Sequence, residues 1–240
     1  MITTTPTYNG RLGNQIIRNL AISFIAEKHN LRVSYSSKEK IDQLGIKLFS
    51  GELIHDNKII VNDNNYFEIL NSSDLLSNLD STWSFFQTQD IIHKIYNYLR
   101  EEPQKNTIIK ANPFKDNYNN NNDAVVHIRL TDVEQFNPGV EYYLNAISNI
   151  KYNKLYVITD DKNHNIINQI LEKFPNSFLF DMNEVLTVQF ASTCKHIIMS
   201  HGSYSALIGY LGYYSDIYYP KHIDSKWYGD LFCIDSWKQL

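Results

Sequence analysis

The chain has 240 residues, of which 43% are hydrophobic and 13% aromatic, and this composition excludes disordered and fibrous proteins. Its formal net charge is −4, so it lacks the basic balance expected of a nucleic-acid-binding protein. Only two cysteines are present, which excludes a disulfide framework and a four-cysteine zinc site. No apolar run approaches the roughly 20 residues that span a bilayer, and no signal-peptide pattern opens the chain. We therefore expect a cytoplasmic protein with no transmembrane segment.

The first half of the chain predicts a βαβ unit whose first turn is rich in glycine. Apolar residues recur at helical spacing after this turn, and an alternating segment follows the helix. The predicted elements of this half are a strand over 2–7, a helix ending near 29–30, a strand over 31–35, a strand over 58–61 and a helix over 90–101.

The second half alternates strands and helices regularly and begins after a Pro- and Asn-rich stretch over 112–123, which favours a loop or linker. We place the division at 1–115 and 116–240. The predicted strands cover 123–128, 154–159, 177–180, 196–200 and 216–219, and the predicted helices cover 140–149, 163–173, 184–192 and 203–211. Such alternation predicts an α/β fold with a mostly parallel sheet, in which ligands bind at the carboxyl ends of the strands.

The turn from Gly10 to Gln15 lies between a predicted strand and a predicted helix. Its two glycines, Gly10 and Gly13, allow the backbone to approach a ligand closely, and the helix N-terminus offers N–H groups to an anion. The spacing matches neither the P-loop nor the dinucleotide fingerprint, so an ordinary βα turn is the alternative interpretation.

The segment His127-Ile128-Arg129-Leu130-Thr131-Asp132 ends the most apolar strand. Arg129 is a planar cation suited to binding phosphate through two of its nitrogens, and Asp132 could orient it. His127 lies two residues before Arg129 and therefore faces the same side of the strand. The alternative is a structural Arg–Asp pair beside a packed histidine.

Two further polar segments follow predicted strands. Thr159-Asp160-Asp161 suits a helix cap, and a metal-binding carboxylate pair is disfavoured because no third acidic ligand is close. Ser200-His201-Gly202-Ser203-Tyr204-Ser205 offers hydroxyl and N–H groups that could hold a diphosphate, while capping by Ser203 is the alternative. His222 and Asp224 follow later, so a serine hydrolase remains a distant alternative.

Taken together, these segments resemble the α-1,2-fucosyltransferase family, which is related to the protein O-fucosyltransferases. Gly10–Gln15 resembles the family's Gly-Gly-Leu-Gly-Asn-Gln signature, with Arg11 in place of the second glycine. The other matching segments are His127-x-Arg129-x-x-Asp132, Thr159-Asp160-Asp161, Ala191 to Ser200, Ser203-Tyr204-Ser205 and the tail from Pro220 to Trp237. The resemblance covers roughly residues 7–35 and 124–240. It departs from the family at Ala206-Leu207, where paired tryptophans are usual.

The resemblance implies a GT-B fold, with two Rossmann-like halves facing a cleft. It also implies an acceptor-side N-terminal half and a C-terminal half that binds the nucleotide sugar. The implied reaction transfers L-fucose from GDP-β-L-fucose to an oligosaccharide hydroxyl with inversion, giving an α-1,2-type fucoside. The implied enzyme needs no metal and no cofactor, and its partners are the GDP-sugar donor and the glycan acceptor.

We assign the predicted site residues on this basis. The predicted catalytic residues are Arg129, which binds the diphosphate, and Asp132 and His127, which orient the site; Asp132 and Glu134 are the nearest acids for a general base. The predicted nucleotide-sugar-binding residues are Gly10, Arg11, Gly13, Asn14, Asp160, Asp161, Ser203, Tyr204 and Ser205.

Two other functions remain open from the sequence. One is the same scaffold with another activated 6-deoxy-L-sugar, such as a rhamnose-type donor, and the other is a catalytically silent module that binds a nucleotide sugar or glycan. Aromatic residues near the C-terminus would suit core packing, sugar stacking or an oligomer contact, and they are Tyr213, Tyr214, Trp227, Tyr228 and Trp237.

Overall fold

The computed structural model describes every residue except Met1, Tyr8, Asn9, Val133 and residues 222–229. Its contacts divide the chain into two compact units. The first unit consists of Met1–Ile108 and Tyr228–Cys233, and the second of Ile109–Trp227 and Ile234–Leu240. Each unit contains a parallel sheet and helices, so the predicted α/β class is confirmed.

The first unit contains a four-stranded parallel sheet. Its strands are β1 (Thr3–Thr4), β2 (Val33–Ser34), β3 (Lys58–Ile60) and β4 (Asn78–Asp80). Its helices are α1 (Leu12–His29), α2 (Lys38–Gln43), α3 (Tyr66–Asn71) and α4 (Gln89–Arg100), and α5 (Gln104–Ala111) contains the boundary with the second unit. The strand order is β2-β1-β4-β3, so the order reverses between β1 and β4.

Helix α1 is the central helix of the first unit, and 14 of its 18 residues are buried. A helix buried on nearly all sides must satisfy its polar residues internally. Arg18 Nε accordingly donates to the carbonyl of Ser84 at 3.1 Å, and Asn19 Nδ2 donates to the carbonyl of Ser36 at 2.7 Å. The helix ends at Asn30, whose left-handed backbone (φ 50°) suits an asparagine C-cap.

The second unit contains a six-stranded parallel sheet. Its strands are β5 (Ala124–Ile128), β6 (Leu155–Thr159), β7 (Ser177–Leu179), β8 (His196–Ile198), β9 (Asp216–Tyr219) and β10 (Lys238–Gln239). Its helices are α6 (Val140–Ser148), α7 (Asn165–Lys173), α8 (Glu184–Ala191) and α9 (Ser203–Leu211), with 3₁₀ turns at Lys115–Asn117 and Glu134–Phe136. The strand order is β10-β9-β8-β5-β6-β7. Strands β6 and β7 lie on one side of β5, and β8, β9 and β10 lie on the other.

Strand β5 lies at the centre of this sheet, and all five of its residues are buried. One face of β5 packs Val126 and Ile128 into a core that also contains Tyr143, Ile147 and Ile167. This burial on both faces of the sheet explains the continuous apolar run in the sequence. The parallel sheet predicted for the C-terminal half is therefore confirmed.

The cysteines and the C-terminal aromatic residues mostly serve packing. Cys194 is buried, and burial raises the pKa of its thiol, whereas Cys233 is only half-buried. Trp237 is buried and stacks on Tyr210 with ring centroids 5.6 Å apart, so it belongs to the core. Trp227 and Tyr228 lie outside the described residues. None of the helices in the described part of the chain is long and apolar enough to cross a membrane.

Candidate functional site

The strand order of the second sheet reverses between β5 and β8, and the polar segments predicted from the sequence follow these two strands. Arg129 comes directly after β5, and Ser200 to Gly202 lead from β8 into α9. In open parallel sheets the carboxyl ends of the strands at such a reversal form the crevice where ligands bind. The structure thus brings Arg129 and the start of α9 together at one edge.

Arg129 is fixed by Asp132 through two of its three guanidinium nitrogens. Nε and Nη2 donate to Asp132 Oδ1 at 3.1 and 2.8 Å, and Nη2 also donates to Oδ2 at 2.7 Å. The Arg129 side chain is only 14% exposed. Among the described residues, Nη1 has no hydrogen-bond acceptor, and a Cβ built on Gly202 would lie 3.9 Å from it. One donor of the fork is therefore held beside the start of α9 and remains available to a ligand.

The N-terminus of α9 offers further donors to an anion. Gly202 is its N-cap residue, with φ at +97°, and no side chain caps the helix. The first N–H groups of a helix have no intrahelical acceptor and carry the positive end of the helix dipole. The hydroxyl of Ser203 makes no hydrogen bond within the part of the chain that is described, and Ser203 opens the helix. Together with Arg129 Nη1, these groups suit the oxygens of a phosphate or diphosphate.

His127 is buried against the first turn of α9. Its Nδ1 lies 2.5 Å from Ser205 Oγ, and its ring centroid lies 5.3 Å from that of Tyr204. The pKa of His127 is lowered to about 4, mainly because burial removes the hydration of the charged ring; the charge of Asp160 opposes this effect and that of Arg129 adds to it. The imidazole is therefore neutral at pH 7 and holds Ser205 through a hydrogen bond rather than through charge.

The hydroxyl groups of Tyr204 and Ser205 are both engaged inside the protein. Tyr204 donates to the carbonyl of Glu184 at 2.7 Å, and burial raises the pKa of its hydroxyl. Ser205 is fully buried on His127. Of the predicted Ser-Tyr-Ser triplet, Ser203 is the residue whose hydroxyl makes no hydrogen bond within the described residues, while the other two hydroxyls fix the start of α9.

Asp160 and Asp161 stabilise the loops around Arg129. Asp160 Oδ1 accepts from the backbone N–H of Leu130 at 2.8 Å, and its Oδ2 accepts from Thr131 Oγ at 2.6 Å. Asp161 Oδ1 accepts from the N–H of Asn163 at 3.0 Å. Asp160 thus fixes the turn that follows β5, which is a role the sequence interpretation as a helix cap did not include.

The cap of α7 is His164, a residue that the sequence analysis missed. Its Nδ1 accepts from the N–H of Ile166 at 3.2 Å, and its Nε2 lies 3.0 Å from Glu134 Oε1. The position of His164 just before the predicted helix could have identified it as the cap, because the first N–H groups of a helix need a side-chain acceptor there. No group of three or more His, Cys, Asp and Glu side chains within the described residues could hold a metal ion.

The glycine turn of the first unit is held tightly. Gly10 has φ at +120°, and a Cβ there would lie 2.3 Å from Asn14 Nδ2. Gln15 Nε2 donates to the carbonyls of Thr7 and Gly10 at 3.1 and 3.0 Å. Arg11 is the N-cap residue of α1 without a capping side chain. The positive φ and this close contact both require glycine at position 10, so Gly10 fixes the conformation of the turn.

Gly13 and Asn14 lie in the first turn of α1, where the strand order of the first sheet reverses. Gly13 is buried, and Asn14 Oδ1 accepts from Gln87 Nε2 at 2.8 Å. Gln87 belongs to the loop after β4, and its backbone N–H donates to Asp63 Oδ1 at 3.0 Å. Ser84 Oγ also donates to Asp63. This loop was missed from the sequence, since nothing local marks residues that bond across 21 to 73 positions.

The hydrolase alternative rests on residues that are not described. His222 and Asp224 both fall within the stretch 222–229. Ser203, the nucleophile it would require, opens α9 and has no described histidine bonded to its hydroxyl.

Comparison with known proteins gives structural similarities at low sequence identity. No protein-family model matches the chain, and no curated protein does. The chain is similar to NodZ α-1,6-fucosyltransferase soaked with GDP-fucose, with 14% identity and a TM-score of 0.37 over 58% of this chain and 53% of that one. For NodZ co-crystallised with GDP, the identity is 13% and the TM-score 0.39, over 61% of this chain and 56% of that one. The chain is also similar to E. coli heptosyltransferase WaaC with ADP-2-deoxy-2-fluoro heptose. The sequence identity is 11% and the TM-score 0.49, over 100% of this chain and 92% of that one.

The matched region spans about half of the NodZ chains. Because every TM-score is below 0.5 and every identity is below 25%, these similarities assign neither a fold family nor a reaction to the chain.

Proposed function

We propose that the chain is an inverting, metal-independent glycosyltransferase of GT-B type, which transfers L-fucose from GDP-fucose to an oligosaccharide hydroxyl. The observation that supports this most is the position of Arg129 Nη1 beside the N-terminus of α9, at the reversal of the strand order. A fixed guanidinium and a helix N-terminus at one place form a site for a diphosphate. The sequence resemblance described above supplies the sugar and the base, and the α-1,2 linkage belongs to this proposal too.

The chemistry follows from where charge develops in the reaction. As the bond between the sugar C1 and the diphosphate oxygen breaks, negative charge accumulates on the leaving diphosphate. Arg129 Nη1, the Ser203 hydroxyl and the first N–H groups of α9 are donors already in place, so they stabilise that charge without rearrangement. They supply the positive potential that a divalent cation supplies in other transferases.

The supporting residues hold these donors in place. Asp132 fixes the direction of the guanidinium, and Asp160 fixes the backbone turn that carries it. His127 fixes Ser205 and hence the first turn of α9. Each of these groups acts through another residue, which makes them positioning residues in the proposed reaction.

We assign the acceptor glycan to the N-terminal half, residues 1–115. Trp83 supports this assignment, because it is 79% exposed in the loop that follows β4, at the carboxyl edge of the first sheet. The loop is held by Asp63, and its Phe86 is fully buried. An exposed indole on a loop held in this way offers an apolar face to the C–H face of a sugar. The turn from Gly10 to Asn14 is proposed to contact substrate as well.

Isothermal titration tests the proposal, with GDP, GDP-fucose, UDP and dTDP as ligands and EDTA present throughout. We expect GDP and GDP-fucose to bind, and Arg129→Ala to weaken both about 10- to 150-fold, the value of one charge-assisted hydrogen bond. The matched control is Arg32→Ala, which removes the same charge from an exposed position in the first unit.

Each other outcome selects a different function. Preference for UDP or dTDP would support a transferase that uses a different nucleotide-sugar donor, as in the rhamnose-type alternative. Binding of GDP-fucose without transfer to a panel of oligosaccharides and without hydrolysis would identify a silent binding module. Equal binding by wild type and Arg129→Ala would refute the diphosphate site.

A further inference from the structure

The loops that follow β5 and β6 carry four carboxylates, which differ in how many of their oxygens are bonded within the protein. Both oxygens of Asp132 are bonded to Arg129, both oxygens of Asp160 hold the turn at residues 130–131, and Asp161 accepts from Asn163. The fourth carboxylate is Glu134. Asp161 and Glu134 each keep one oxygen without a donor among the described residues, but Asp161 is half-buried and bonds the backbone of its own loop, whereas Glu134 is exposed. Glu134 is therefore the acid in these loops with the most open access to a substrate.

Glu134 is held by a single contact on one of its oxygens. Its Oε1 lies 3.0 Å from His164 Nε2, and its Oε2 has no hydrogen-bond donor among the described residues. The side chain is 62% exposed. One oxygen of this carboxylate is oriented by His164, and the other is accessible and has no donor among the described residues.

The tautomer of His164 follows from its second contact. Its Nδ1 accepts from the backbone N–H of Ile166, so the neutral ring carries its hydrogen on Nε2. That N–H donates to Glu134 Oε1. His164 thus orients the Glu134 carboxylate, as the orienting member of a catalytic pair does.

The turn that carries Glu134 is tied to the proposed diphosphate site. The N–H of Asn137 donates to the carbonyl of Glu134 at 2.8 Å, and Asn137 Nδ2 donates to the carbonyl of Arg129 at 3.0 Å. Asn137 Nδ2 also donates to the hydroxyl of Tyr143, which is buried in the core. The position of Glu134 is therefore coupled to the residue that would hold the leaving group.

We propose that Glu134 is the general base of the transfer reaction and that His164 positions it; this inference rests on the proposed function. The acceptor hydroxyl gives its proton to Glu134 Oε2, and the oxygen electron pair forms the new bond to the sugar C1. The bond from C1 to the diphosphate oxygen breaks, and its electron pair leaves on the diphosphate beside Arg129. Glu134 then releases the proton to water, to which its exposed side chain has access.

The test measures transfer from GDP-fucose to the same panel of oligosaccharides, alongside the affinity for GDP. We expect Glu134→Gln to lower kcat by about 10²- to 10⁴-fold, the usual contribution of a general base, with the Kd for GDP unchanged within about twofold. His164→Asn keeps an oxygen for capping α7 but removes the bond to Glu134, and we expect a decrease in kcat of about 3- to 10-fold. The control is Glu141→Gln, an exposed acid in the first turn of α6, which should behave as wild type.

Chemical rescue separates a base from a merely structural carboxylate. In Glu134→Ala, added formate should restore part of kcat, whereas it should leave His164→Asn unchanged. If Glu134→Ala has a lowered kcat that formate does not restore, Glu134 has a structural role and the inference is overturned. If the wild type turns over and Glu134→Gln is equally active, this inference is overturned but the proposed function is not. Absence of turnover by the wild type would overturn it together with the proposed function.

Discussion

Asp132 binds Arg129 through Nε and Nη2, and Nη1 is the guanidinium nitrogen left over. The pair lies three residues apart at the end of β5, and Gly202 approaches it from the loop after β8. A glycine at that position leaves open the space next to Nη1. The ion pair thus orients Arg129, because three bonds from Nε and Nη2 fix the plane of the guanidinium and thereby the direction of Nη1.

Arg129→Lys tests whether this geometry matters beyond the charge. A lysine keeps the positive charge but cannot bond Asp132 through two atoms and present a separate fixed donor. We expect the Kd for GDP to rise about 10-fold, corresponding to one charge-assisted hydrogen bond. Titration calorimetry measures it, and an unchanged Kd would mean that a point charge is sufficient.

The burial of His127 predicts a specific pH dependence of stability. Its pKa is lowered from 6.5 to about 4 in the folded chain, so the unfolded chain binds the proton first as the pH falls. The stabilisation is complete above about pH 6.5 and is lost progressively toward about pH 4. Between pH 7 and pH 5 the wild type should lose about 2 kcal/mol more unfolding free energy than His127→Asn, which cannot titrate there.

Urea denaturation at several pH values measures this difference, and the other histidines cancel because both proteins contain them. Parallel pH curves for the two proteins would show that His127 titrates normally.

Gly10→Ala should be more destabilising than Gly139→Ala, although both glycines have positive φ. A side chain at positive φ is strained at either position, by about 1–3 kcal/mol. A Cβ at Gly139 meets nothing within 4 Å, whereas one at Gly10 would lie 2.3 Å from Asn14 Nδ2 and 2.5 Å from Asn14 Cβ. We expect the clash to cost a further 1–3 kcal/mol approximately. Equal losses in urea denaturation would indicate that α1 shifts to accommodate the methyl group.

Trp83→Ala tests the assignment of the acceptor to the N-terminal half. We expect the KM for an oligosaccharide acceptor to rise about 3- to 10-fold, as for the loss of one aromatic contact, with the Kd for GDP and the thermal stability unchanged. Leu76→Ala is the matched control, since Leu76 is 72% exposed but precedes β4. If both variants retain the wild-type KM, Trp83 contributes no acceptor contact.

Several elements were predictable because their signals are local. The buried run of β5 identifies a central strand, and the amphipathic spacing of α4 and α7 identifies two helices. The short elements α2, α3 and β4 were not predicted, because three to six residues carry too little periodicity. The cap of α7 was expected at Thr159 to Asp161 and belongs to His164.

The sequence by itself determined that Arg129 follows a buried strand and that Ser203 opens a helix, since apolar runs and turn residues are local properties of the chain. The tertiary structure decided that the two segments meet, because β8 pairs with β5 through Val126 and Ile198, 72 positions apart. It also decided that the Ser205 hydroxyl is buried on His127 and that Glu134 meets His164. Such pairings depend on which strand lies next to which, and this order minimises exposed apolar surface over the whole sheet rather than within any one segment.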